Sequence, residues 1–176
     1  IKTGKISTNL IQARNTLTQR CIQPYTDVSV ELNVDSMKDG DCAGLCLLQG
    51  CYGYIGVTKE LNRYYLVVVT RSIDENSIAE VLPDYMPGTM QERMLLEGTV
   101  VKLRIKADFD DMVDTARFFY EKEGEYVQVG GKHNLYYKVD HFTGCRVGLF
   151  NFATREIGGH AEFNRFRYRT PAAGKA

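Results

Sequence analysis

Val28, Val30, Leu32 and Val34 alternate with Ser29, Glu31 and Asn33. Such a period of two fits an extended strand with one buried and one wet face, and excludes an amphipathic helix. The same alternation returns at Val101, Leu103 and Ile105 against Lys102, Arg104 and Lys106. Cys42–Leu48 is apolar on both faces and reads as a central strand. Tyr52–Val57 follows, with Gly50, Gly53 and Gly56 marking turns or close backbone approach. Tyr64–Thr70 is rich in β-branched and aromatic residues. Thr115–Glu121 and Glu125–Val129 flank a Lys-Glu-Gly turn, a hairpin signal. Cys145–Phe152 and His160–Tyr168 complete the run. Only residues 74–82 invite a helix, stopped by Pro83 and Pro87. About ten short strands with turns between them predict an all-β chain, an antiparallel two-sheet β-sandwich, with a closed barrel as the alternative.

Size and charge narrow the function. A chain of 176 residues can bury one substantial core. With 22 basic and 22 acidic residues it has no net charge, so its overall balance gives no footprint for nucleic acid. No apolar run approaches the ~20 residues that span a bilayer, and no charged-then-apolar leader opens the chain. Cys21, Cys42, Cys46, Cys51 and Cys145 are an odd number without metal-ligand spacing, and read as small hydrophobes on strands. Unpaired thiols favour a cytoplasmic location over a secreted one.

Few residues are set out for catalysis. There is no phosphate-cradling loop and no serine-nucleophile motif. His141 and Cys145 have only their spacing to support a base and nucleophile. Asp108, Asp110, Asp111 and Asp114 read as a solvated loop rather than as carboxyls opposed across a scissile bond. The aromatic residues are more informative, with 11 Tyr and no Trp. Tyr52, Tyr54, Tyr136 and Tyr137 come in close pairs, and are candidate carbohydrate contacts because a phenol ring can stack on a sugar and bond its hydroxyls. Phe142, in the run His141-Phe142-Thr143-Gly144 before a strand, is either an exposed anchor or a plug at one end of the sandwich.

The blocks ARNTLTQR (13–20), MKDGDCAGLCLLQGCYGYIGV (37–57) and HFTGCRVGLFNFATREIGGHAEFNRFRY (141–168) resemble the C-terminal β-sandwich of family 43 glycoside hydrolases, the β-xylosidases and α-L-arabinofuranosidases. The resemblance implies a concanavalin A-like jelly roll over residues 1–169, lacking the family's first strand, and a flexible tail over 170–176. It implies an accessory domain without catalytic residues of its own. The partner would be a catalytic five-bladed propeller of the same enzyme, acting on xylan-derived oligosaccharides. Phe142, with His141, would then form a lid on the propeller's sugar pocket. The alternative is an independent module that binds xylan or xylo-oligosaccharides. No cofactor is implied beyond a structural calcium, for which Asp39, Asp41 and Glu162 are the weak candidates. Where the family often has Tyr and Asp near the end, this chain has His160 and Asn164.

Overall fold

The computed structural model describes residues 1–72, 85–112, 114–135 and 144–170. Among these residues eleven strands follow in order: β1 (Thr16–Arg20), β2 (Tyr25–Asn33), β3 (Asp41–Leu48), β4 (Gly53–Glu60), β5 (Arg63–Thr70), β6 (Thr89–Leu95), β7 (Val100–Asp108), β8 (Thr115–Lys122), β9 (Glu125–Asn134), β10 (Arg146–Ala153) and β11 (Glu162–Arg169). They form two sheets, ordered β1-β10-β3-β4-β5-β6 and β11-β2-β7-β8-β9. Every named strand pair is antiparallel. Two separate sheets make a sandwich and set the barrel aside. The helix expected over 74–82 lies outside the described residues.

The alternating strands supply the five-stranded sheet. Val28, Val30 and Leu32 of β2 face inward with Leu103 and Ile105 of β7, while Asp27, Ser29 and Glu31 face out. The six-stranded sheet contributes Ala43, Leu45, Leu47, Ile55, Val57, Leu66 and Val68 to the same core. Its outer face is also covered. Cys42, Cys46, Tyr54, Val67, Val69, Phe150 and Phe152 form a second core there, packed under Leu10, Ile11 and Ala13. Both faces of β3 are therefore buried, which is why Cys42–Leu48 shows no alternation.

Residues ahead of β1 are tied to the body of the sandwich. The Ile1 α-ammonium donates to the Ala161 carbonyl at 2.7 Å, and the Thr3 amide to Gly159 at 2.9 Å. At the centre of the sheet, Gly44 and Gly56 face each other across β3 and β4. A Cβ on Gly56 would meet the Ala43 carbonyl oxygen at 2.5 Å, so the two backbones leave no room for a side chain.

Candidate functional site

Antiparallel pairing brings the starts of β2, β4, β6, β8 and β10 to one end of the sandwich. The sequence segment with His141 and Phe142 precedes the last of these strands. It runs between Leu135, which is buried and whose amide donates to the Asp114 carbonyl at 2.7 Å, and Gly144, whose φ of 68° suits a residue without a side chain. His141, Phe142, Tyr136 and Tyr137 themselves lie outside the described residues.

Several polar groups are held in burial at this end. His133 is 4% exposed, and its Nε2–H donates to the Cys51 carbonyl at 3.0 Å. Burial holds its imidazole below the usual value, against that hydrogen bond. Arg71 is buried with its guanidinium over the Tyr52 ring, 5.9 Å from the centroid. Among the described residues, buried Gln49 has no hydrogen-bond partner for its Nε2. Nothing in the period-two pattern singled out these three: Gln49 and Arg71 stand just beyond the ends of β3 and β5, and His133 is the last residue but one of β9, past the stretch that the sequence marks as a strand.

Cys21 and Cys145 lie at the same end. The Cys21 amide donates to the Cys145 carbonyl at 3.2 Å, extending the β1–β10 ladder. Their thiols share a hydrogen bond, which lowers Cys21 and, together with burial, holds Cys145 well above an ordinary thiol. A raised thiol is a poor nucleophile, so Cys145 gains no catalytic character. Burial also pushes Cys42 up to about 12. None of the five cysteines forms a disulfide among the described residues.

Tyr52 and Tyr54 require a correction. They are 1% and 7% exposed, stacked with centroids 6.2 Å apart, and Tyr54 meets Phe150 edge-on at 4.9 Å. They belong to the second core and offer no face to a sugar. The expectation of exposure failed because the outer side of this sheet is covered by residues 10–13, remote in sequence from the tyrosines.

The calcium candidates do not assemble. Asp39 Oδ1 accepts from the Asn62 amide at 3.0 Å, buried Asp41 accepts from the Lys38 amide through Oδ2 at 2.8 Å, and Glu162 Oε2 accepts from Asn33 at 3.3 Å. Among the described residues no group of three or more His, Cys, Asp or Glu is placed to hold a metal ion. Calcium takes six to eight oxygens, and this donor set does not fit it. The acidic loop is bonded locally: Asp108 accepts from the Asp110 amide at 3.0 Å, and Asp110 from the Tyr25 hydroxyl at 2.9 Å. No helix among the described residues is long and apolar enough to cross a membrane.

Comparison with known proteins places this architecture. The family profile of the β-xylosidase C-terminal concanavalin A-like domain matches residues 1–169. No curated protein matches the chain. Among solved structures, a bifunctional GH43-CE protein of Bacteroides eggerthii is similar at 34% identity and a TM-score of 0.85, over 98% of this chain and 21% of that one. An engineered GH43 glycoside hydrolase with endo-xylanase and exo-arabinofuranosidase activity is similar at 28% identity and a TM-score of 0.82, over 96% of this chain and 34% of that one. A xylan β-1,4-xylosidase from Bacillus halodurans shares the fold at 16% identity and a TM-score of 0.74, over 97% of this chain and 32% of that one. The chain thus spans between a fifth and about a third of the length of these proteins. It belongs to the β-xylosidase C-terminal concanavalin A-like domains, the C-terminal module of family 43 glycoside hydrolases.

Proposed function

We propose that this sandwich is a non-catalytic accessory domain that packs on the five-bladed catalytic propeller of its enzyme and helps shape the sugar pocket. The observation that carries this reading is the family match over residues 1–169, in relatives where the matching part is between a fifth and about a third of the chain. The contact would come from the end where the 136–143 segment leaves Leu135 and returns at Gly144, with Phe142 and His141 as the lid. Such a lid excludes water and fixes the sugar without touching bond chemistry, which belongs to carboxylates of the propeller. A reducing, cytoplasmic compartment fits five cysteines that form no disulfide among the described residues.

The test is co-expression of the chain with the propeller of its own enzyme. One co-eluting complex is expected, and Phe142→Ala should lower kcat/KM on an aryl xyloside without moving the melting temperature of the sandwich. Failure to associate, or activity untouched by Phe142→Ala, overturns the reading. The second reading, an independent xylan-binding module, loses Tyr52 and Tyr54 to the core and needs another surface.

A further inference from the structure

The outer face of the five-stranded sheet carries charge that the neutral composition conceals. Register places Arg169, Asp27, Lys106 and Arg117 side by side across β11, β2, β7 and β8. The next row holds Arg167, Ser29, Arg104 and Phe119, continued by Gln128 on β9. These two rows contain five cations and one anion. That anion, Asp27, is taken by Arg104, which donates through Nε at 2.7 Å and also through a terminal nitrogen. Arg117, Lys106, Arg167 and Arg169 have no ion pair among the described residues. With strands ~4.8 Å apart, the first row runs for roughly 15 Å. Between the rows, Asp27, Ser29, Arg104, Tyr126, Arg167 and Arg169 line a shallow depression of about 60 Å³.

We propose that this face is a binding subsite for the carboxylate of a uronate-bearing xylo-oligosaccharide, with Arg167 and Arg169 as its carboxylate ligands. The proposal rests on the reading of the chain as part of a xylan-directed enzyme, and adds the class of sugar. Guanidinium forks match carboxylates with two parallel hydrogen bonds, and the Arg104–Asp27 pair realises that geometry on this same face. Ser29 between the cations and Gln128 beyond Phe119 offer donors and acceptors for sugar hydroxyls.

Other anionic partners fit less well. Single-stranded nucleic acid stacks on open aromatic faces, yet Arg104 lies over Tyr126 at 5.1 Å and Lys106 over Phe119 at 5.4 Å. An acidic protein would look for a central apolar anchor, and the one apolar side chain in these rows, Phe119, is half-buried with Lys106 over its ring. Asp108 and Asp110 bound the face beyond Lys106, so a long uniform polyanion meets repulsion there while a single carboxylate over Arg167 and Arg169 does not.

Isothermal titration of the 176-residue chain tests this with four probes: a xylo-oligosaccharide carrying one glucuronate, the neutral oligosaccharide of the same length, polyglutamate and a short single-stranded DNA. The acidic sugar should bind about tenfold tighter than the neutral one, a charge-assisted preference that weakens with salt. The Arg167→Gln/Arg169→Gln double variant should abolish that preference and leave the melting temperature and any neutral-sugar binding unchanged. Equal affinity for both sugars overturns the subsite while leaving xylan binding standing. Polyglutamate or DNA binding as tightly as the acidic sugar overturns it in favour of an unselective anion surface. No heat with either sugar also overturns it, whereas the accessory reading stands or falls separately on association with the propeller.

Discussion

The two sheets of this sandwich make opposite use of their outer faces. β3 and β4 are covered on both sides, the inner by the main core and the outer by Leu10 and its neighbours over Tyr54 and Phe150. β2 and β7 are covered on one side and leave a cationic, hydrogen-bonding surface to water. One sheet is thereby committed to stability, and the other keeps a face available for recognition.

The sharpest way to break this comparison is to remove one ring from each core. Phe118→Ala in the main core and Phe150→Ala in the outer one should each lose about 3–5 kcal/mol in denaturant melts. A loss below about 1 kcal/mol at Phe150 would mean that residues 10–13 cover it only loosely. Next in size is Gly56→Ala, expected to cost about 1–3 kcal/mol because the Ala43 carbonyl cannot move aside without breaking the β3–β4 ladder. Full stability in this variant would show that the sheet can open at its centre.

A smaller effect comes from pH. Burial lowers the folded-state value of His133 below the ordinary 6.5, so the unfolded chain takes up this proton first. Its contribution is intact above about pH 6.5 and is lost progressively as pH falls below it. His133→Gln should flatten that part of the stability profile, and an unchanged slope would locate the sensitivity elsewhere. The least is expected on the wet face. Arg165, with its side chain 70% exposed, meets Glu31 at 3.3 Å, and Arg165→Ala should change stability by no more than about 0.2–1 kcal/mol.

Nine of the eleven strands were legible in the sequence, and the other two show why legibility ends. β1 (TLTQR) and β6 (TMQERML) are edge strands, each with a single half-buried residue and the rest exposed, so neither alternation nor an apolar run marks them. Gln91, Glu92, Arg93 and Met94 are good helix formers in isolation, and pairing with β5 overrides that preference. Tyr52 and Tyr54 failed for a related reason: local pattern says which residues share a face, but not what distant segment lies over it. The cationic rows were hidden because register, rather than sequence spacing, brings Arg169 beside Asp27 and Lys106.

The four edges of the two sheets also differ. Pairing is irregular where β6, β9 and β11 meet their neighbours, and each of those borders bends away from a flat line. β1 joins β10 without a break over five residues and leaves Leu17 two-thirds exposed. A straight border of this kind accepts an incoming strand, which makes β1 the place where concentrated copies of the isolated sandwich would begin to stack into aggregates. A lysine in place of Leu17 is the smallest change that would keep such a preparation monodisperse.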